Sequence, residues 1–176
     1  MNKVSLVLSV ALINLAITNI AIAATATGTL TVKATITNSC VVNTSATGTV
    51  AGAVLDFGTV SSFTTAVTAD TTTTGGTSIK VLCNNTVPWT LALDGGKNAS
   101  SSQRRMIGGA SSNEYIPYNL FSDSARSTAI GISTTASSGT GTGAVQTVNV
   151  YGTIPAGTTL PSAGSYLDTV TLTVTY

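Results

Sequence analysis

The chain contains no histidine, and only 7% of its 176 residues are charged. Without histidine, neither a Ser-His-Asp or Cys-His catalytic arrangement nor a histidine-containing metal site can form. Apart from Lys3, six Lys and Arg residues balance six Asp and Glu residues, so the remaining chain is neutral. A neutral chain has no electrostatic attraction to nucleic acid or to anionic lipid. The composition therefore predicts a protein that is not an enzyme, takes no cofactor and binds no nucleic acid.

Aromatic residues are also scarce, at 5%, whereas Thr, Ser, Gly and Val are abundant. This balance favours strands over helices. Few charges can also indicate disorder, but a hydrophobic content of 43% argues against it. A chain of this length can bury the core of one domain. The composition predicts an all-β, single-domain protein.

The first residues have the three parts of a secretory signal peptide. Lys3 is the cation, residues 4–22 are mostly apolar, and Ala21-Ile22-Ala23 is a small-x-small site. A retained membrane anchor is the alternative, but no basic stop-transfer cluster follows. Polar residues also interrupt the apolar stretch, among them Ser5, Ser9, Asn14 and Asn19. We expect residues 1–23 to be cleaved on export, leaving no stable membrane anchor.

Two cysteines, Cys40 and Cys83, follow the predicted signal peptide. In an oxidising compartment, an even pair is most simply a disulfide. A metal site is the alternative, and it would need further soft ligands. The sequence predicts a structural Cys40–Cys83 disulfide.

Period-2 alternation recurs along the chain and no sustained helical period does. In the first alternating segment, Thr25 to Thr37, the odd positions are polar. Its even positions are apolar or small, at Ala26, Gly28, Leu30, Val32, Ala34 and Ile36. The later strand candidates are Val54–Phe57, Ser78–Cys83, Trp89–Leu93, Tyr115–Phe121, Val145–Ile154 and Tyr166–Tyr176. About seven strands in a chain of this size predict a β-sandwich.

Three polar or glycine-rich stretches are predicted to be loops: Thr64–Thr77, Asp94–Ser112 and Ser133–Gly143. Within them, Arg104-Arg105 is interpreted as a solvated pair, because two charges are too few for a basic patch. Gly139–Gly143 is interpreted as a flexible hairpin loop, since it lacks the Lys-Ser/Thr of a phosphate loop. Trp89 is predicted to be a core residue against the disulfide, whereas an exposed Trp89 could contact a sugar.

The last predicted strand has one apolar face, formed by Val170, Leu172, Val174 and Tyr176. The threonines of this strand lie on the opposite face, and the alternation of apolar and polar residues continues as far as Tyr176. We therefore expect an open sheet edge with an exposed apolar row, which invites another strand. The alternating segment before Cys40 could be donated to the edge of another subunit. Pairing of that segment within its own sheet is the alternative.

Several motifs carry a resemblance to a known family. The carboxy-terminal motifs are Tyr118–Arg126, Tyr151–Gly157 and Ala163–Tyr176. The same family pattern also includes, earlier in the chain, Asp56-Phe57-Gly58, Leu93-Asp94-Gly95-Gly96 and the cysteine pair. On these motifs, the sequence resembles the spore coat protein U domain, the pilin family of archaic chaperone–usher fibres. The resemblance spans nearly the whole chain after residue 23.

This resemblance implies an incomplete immunoglobulin-like β-sandwich that is completed by donor-strand exchange. Residues 24–36 would be the donor-strand segment and residues 37–176 the pilin domain. A periplasmic chaperone would first supply the missing strand, and the next subunit's segment would replace it at an outer-membrane usher. The donor side chains would be Gly28, Leu30, Val32, Ala34 and Ile36, and the acceptor edge Val170, Leu172, Val174 and Tyr176.

The function implied is a structural subunit of a cell-surface pilus for adhesion and biofilm formation, polymerising head-to-tail with identical or related pilins. The alternative is a fibre-tip adhesin or carbohydrate-binding domain.

Overall fold

The computed structural model describes residues 24–45, 48–49 and 52–176, and these residues form strands and no helix. The predicted signal peptide, residues 1–23, lies outside the described residues. The strands are β1 (Cys40–Val42), β2 (Thr44–Ser45), β3 (Gly48–Thr49), β4 (Val67–Asp70), β5 (Ile79–Cys83), β6 (Pro88–Leu93), β7 (Arg104–Gly108), β8 (Glu114–Phe121), β9 (Thr134–Thr140), β10 (Val145–Val148), β11 (Tyr151–Ile154), β12 (Tyr166–Leu167) and β13 (Leu172–Thr175). The all-β prediction is confirmed. Nowhere in the described ranges is there a helix of the length and apolarity that a membrane crossing requires.

The strands pair antiparallel in sheets of order β1-β5-β10, β12-β7-β8-β11-β4 and β13-β6-β9, with a separate β2-β3 ribbon. The alternation seen in the sequence places one face of each larger sheet in a shared core. Val81 of β5, Leu91 of β6 and Ile154 of β11 are less than 2% exposed. The three larger sheets therefore close around one hydrophobic core.

A disulfide joins Cys40 of β1 to Cys83 of β5, as predicted. The two residues are direct cross-strand partners, so the bond lies within the sheet register. Closing a loop with a sequence separation of 43 stabilises the fold by about 4 kcal/mol in the chain-entropy model. Trp89 is 4% exposed and belongs to the same core as Cys83, which agrees with its predicted core position.

The prediction of three loops is wrong. Each contains a strand: β4 lies within Thr64–Thr77, β7 within Asp94–Ser112 and β9 within Ser133–Gly143. β9 has the sequence Thr-Thr-Ala-Ser-Ser-Gly-Thr and pairs along β6 with one register shift. Its local composition is typical of a loop, but long-range pairing with an apolar strand overrides that preference.

Two predicted strands are each divided between sheets. In Val145–Ile154, β10 pairs with β5 whereas β11 pairs with β4 and β8. In Tyr166–Tyr176, β12 pairs with β7 whereas β13 pairs with β6. Of Val54–Phe57, only Val54 makes a bridge, to Thr77. Period-2 alternation continues through each break because both halves bury alternate residues in the same core.

Gly139–Gly143 is not a hairpin loop, because β9 and β10 belong to different sheets. The Gly141 N–H donates to the carbonyl of Val87 at 2.7 Å, and the Gly143 N–H donates to that of Cys83 at 3.1 Å. This stretch is a crossover held by main-chain hydrogen bonds.

The chain divides into two compact units, Met1–Thr35 and Ile36–Tyr176. Residues 24–39 form no strand, although the alternation from Thr25 to Thr37 predicts one. Leu30, Val32 and Ile36 are 88%, 83% and 83% exposed. A strand is stabilised by cross-strand hydrogen bonds and side-chain pairs, so an alternating segment without a partner stays irregular.

Candidate strand-binding groove

A groove with a volume of about 1210 Å³ opens onto the core of the second unit. Two stretches supply most of its lining, residues 52–61 and residues 160–170. Its deepest side chains are core residues: Phe63, Ile79, Leu93, Ile116, Leu120, Val150 and Ile154. These floor residues are buried, whereas apolar residues of the rim are exposed, among them Val54, Leu160 and Leu167 at 44%, 58% and 71%. The groove therefore offers apolar rim surface that another apolar segment can cover.

β13 forms one open edge beside this groove, since it pairs only with β6 among residues that the structure describes. The N–H of Asp94 donates to the carbonyl of Thr171 at 3.1 Å. This hydrogen bond shows that the odd-numbered residues of β13 are the ones whose main-chain groups bond to β6. Thr173 and Thr175 then direct their main-chain groups to β6. Leu172 and Val174 direct theirs to the open side.

The predicted acceptor-edge residues take different positions. Val170 and Leu172 line the groove and are half-buried. Val174 packs against the core but does not line the groove, and Tyr176 is 57% exposed. The groove edge therefore runs through the first part of the predicted apolar row. Towards β12 it includes Leu167, which is 71% exposed.

β1 is a second open edge, because β5 is its one partner in the described sheets. The N–H of Asn43 donates to the carbonyl of Lys80 at 2.7 Å, so Cys40 and Val42 direct their main-chain groups away from β5. β1 and β13 approach within 8 Å between Cα atoms, yet no ladder joins them. Two unpaired edges thus lie near each other in one domain.

A polar network holds the segment between β12 and β13. The Tyr118 hydroxyl donates to Asp168 Oδ2 at 2.7 Å, and the Asn98 side-chain amide donates to Asp168 Oδ1 at 2.9 Å. Burial, followed by the hydrogen bond to Asp168, raises the pKa of Tyr118. Tyr118 and Asp168 both line the groove. The network fixes the position of the groove edge where the strand is interrupted.

Arg104, the first residue of β7, is only 4% exposed, so the interpretation of this residue as solvated is wrong. Its guanidinium donates to four main-chain carbonyls at 2.7–3.1 Å, those of Leu93, Asp94, Ile130 and Gly131. Burial lowers the pKa of Arg104, and electrostatic interactions with Tyr118, Asp94 and Asp168 oppose that change. Arg104 links β7 to the ends of β6 and of the segment before β9.

Arg105, the next residue, is half-buried and stacks on the Tyr115 ring at 4.1 Å. Nothing in the sequence distinguishes the two arginines, because the carbonyls that bind Arg104 come from distant segments. Among the described residues, no group of three or more Cys, Asp and Glu side chains could hold a metal ion.

These features define an all-β domain with two open sheet edges and a groove that reaches its core. The Spore Coat Protein U domain matches residues 26–173, so the chain belongs to this family. It is 35% identical over 161 residues to Protein U of Myxococcus xanthus, covering 88% of this chain and 87% of that protein.

The fold is also similar to a solved structure, the CsuC–CsuE chaperone–tip adhesion subunit pre-assembly complex from archaic chaperone–usher Csu pili of Acinetobacter baumannii. The TM-score is 0.51 and the sequence identity 21%. The match covers 81% of this chain but only 40% of that one, so this chain spans less than half of its length. The predicted resemblance to the family and to a chaperone–usher pilus fold is confirmed.

Proposed function

We propose that this protein is a structural subunit of an extracellular chaperone–usher pilus, with no enzymatic activity. The observation that carries the proposal is the groove, because it reaches the core beside the open edge of β13 and its rim carries exposed apolar side chains that a single added strand can cover. These rim residues are Val54, Leu160 and Leu167. Residues 24–36 of a neighbouring copy are the proposed occupant. They alternate apolar and polar side chains, and their large apolar side chains are exposed. Adding a strand to a sheet edge is a common mode of peptide recognition.

The free energy gained by burying the donor side chains in the groove is large on the scale of the stability of one domain. Burying Leu30, Val32 and Ile36 contributes roughly 5–9 kcal/mol gross, at about 1.5–3 kcal/mol for each side chain. Typical domains are stable by about 5–15 kcal/mol. A strand between two neighbours needs about 9.6 Å, twice the usual strand spacing. Because β1 and β13 approach within 8 Å, insertion requires these edges to separate slightly where they are closest.

The donor segment and the groove are different surfaces of one subunit. When two subunits join, one of them therefore still has a free donor segment and the other still has a free groove. Such head-to-tail contacts do not close and generate an open filament of identical or related pilins. In this proposal, residues 1–23 direct export, and a periplasmic chaperone occupies the groove until an outer-membrane usher exchanges it for the next subunit. The filament is then displayed on the cell surface.

A subunit at the fibre tip is the second candidate, since the solved complex with the similar fold contains a tip adhesion subunit. The presence of a donor-like segment favours a polymerising subunit over a tip. The structure also removes one sugar-binding hypothesis: Trp89 is 4% exposed, so its ring cannot stack on a carbohydrate at the surface.

The proposal is tested by charges on the two faces of the donor segment. Leu30→Asp and Val32→Asp place a carboxylate in the groove, where an unpaired charge is costly, and should stop assembly. Thr31→Asp is the matched control, because its side chain points out of the groove and assembly should remain nearly intact. Surface-sheared material is compared on denaturing gels before and after boiling, where a polymer gives a ladder that collapses. Equal effects of all three substitutions would contradict the donor assignment.

A further inference from the structure

The three exposed apolar residues of the groove rim are held in place in different ways. The Val54 N–H donates to the carbonyl of Thr77 at 2.9 Å, and Leu167 pairs with Ile107 of β7. Leu160, which is 58% exposed, belongs to no strand and makes no main-chain hydrogen bond to the other residues that the structure describes. The position of Leu160 is therefore set by contacts other than a β-ladder.

Side-chain hydrogen bonds fix the chain just after Leu160. The Ser162 N–H donates to Glu114 Oε2 at 2.6 Å, and the Tyr166 hydroxyl lies 2.9 Å from the same oxygen and 2.8 Å from the Ser162 carbonyl. The Ala110 N–H donates to Ser162 Oγ at 2.9 Å. These contacts join one wall of the groove to the β7–β8 hairpin, and the Glu114 carboxylate binds both Ser162 and Tyr166.

Glu114 is the first residue of β8 and does not line the groove. Hydrogen bonds from Ser162 lower the pKa of its carboxyl group, so this group is ionised at neutral pH and acts only as an acceptor. On the other side of Leu160, the Gly157 N–H donates to the carbonyl of Phe63 at 2.8 Å. Leu160 thus lies in a short span between two fixed points, and one of them, Ser162, is held by Glu114.

An added strand gains most from rim side chains that are already in place. A side chain that must be ordered on binding loses part of the free energy of its contact, and pre-organisation avoids that loss. We propose that Glu114 is a positioning residue for strand binding, which holds Leu160 where this side chain packs on the donor segment of a second copy, residues 24–36. This inference rests on the proposed function of the groove, and it makes Glu114 a determinant of strand affinity without contact to the strand.

The test measures the dissociation constant of a fluorescent synthetic peptide of residues 24–36. The parent chain begins at residue 24 and carries Leu30→Asp, which blocks its own donor segment. Leu160→Ala should weaken binding about three- to tenfold, because it removes apolar surface that the strand covers. Glu114→Ala should weaken binding by a similar factor. The double variant should bind within about twofold of the weaker single variant, because residues that act as one unit are not additive.

Three further variants are controls. Glu114→Gln keeps an oxygen acceptor and should restore most of the affinity that Glu114→Ala loses. Val54→Ala combined with Glu114→Ala should give the product of the two single factors, because Val54 is held by Thr77 instead. Asp123→Ala removes another carboxylate that accepts backbone N–H groups, at a turn outside the groove. The Tm of the Asp123→Ala chain should fall while its dissociation constant stays within about twofold of the parent.

The outcomes separate the two hypotheses. If the peptide does not bind the parent chain, strand donation itself is wrong, and the role of Glu114 is wrong with it. If the peptide binds the Glu114→Ala chain as tightly as the parent, or if the Glu114 and Leu160 factors multiply, the groove function stands and the inference about Glu114 is overturned. Should Glu114→Ala fail to fold, Tyr166→Phe replaces it in the cycle, because it removes one donor to Glu114 and keeps the ring. The same two results then decide.

Discussion

The buried guanidinium of Arg104 allows a prediction whose magnitude follows from its hydrogen bonds. Arg104→Met keeps an unbranched apolar stem and removes all donors. Two of the four carbonyls retain another partner: Leu93 accepts from the Ser133 N–H, and Gly131 accepts from the Thr134 hydroxyl. The carbonyls of Asp94 and Ile130 lose the side-chain donor that Arg104 supplies.

Leaving a buried acceptor unsatisfied costs about 1–3 kcal/mol, so two of them cost about 2–6 kcal/mol. That loss is a large fraction of the stability of a typical domain, about 5–15 kcal/mol. Arg105→Met is the matched control. Its guanidinium donates to a single carbonyl, that of Asn98, and its stacking on Tyr115 is worth about 0.5–1 kcal/mol when exposed. We expect its effect to stay near 1 kcal/mol.

Unfolding in urea can be followed through Trp89, the single tryptophan, which is buried in the core. Both variants are measured in the Leu30→Asp background with the disulfide intact, so that assembly does not contribute. Arg104→Lys should be intermediate, because an ammonium keeps the charge but not the planar fork of donors. Equal losses for Arg104→Met and Arg105→Met would refute the reasoning and place Arg104 in solvent-accessible surroundings.

Two further predictions follow from the groove and from one surface turn. In the first, residues 24–36 are moved to follow Tyr176 through a flexible linker. This chain should be a monomer with a higher Tm than the chain lacking the segment, because strand donation becomes intramolecular. Equal Tm values would show that the sandwich is complete without a donor. Hydrogen bonds from the backbone amides of Ser127 and Thr128 lower the pKa of Asp123 to about 2. Its contribution to stability is therefore present above the unfolded pKa of about 3.9 and is lost as the pH falls towards 2. The Tm difference between wild type and Asp123→Asn should narrow between pH 5 and pH 2, and a constant difference would contradict this assignment.

Features that depend on local pattern could be predicted from the sequence alone. Period-2 alternation located β5, β6 and β8 because each buries alternate residues, and that relation needs no knowledge of the partner strand. The cysteine count and export signal were enough to predict the disulfide, since two thiols allow only one intramolecular pairing. The alternation of residues 25–37 is equally visible, and it is the basis of the donor hypothesis.

Only the tertiary structure decided which polar residues are buried and which stretches form strands. β4, β7 and β9 lie in segments with loop-like composition, because pairing with distant apolar strands outweighs local preference. Arg104 and Arg105 are adjacent and chemically identical, yet one is enclosed by carbonyls from distant segments and the other stacks at the surface.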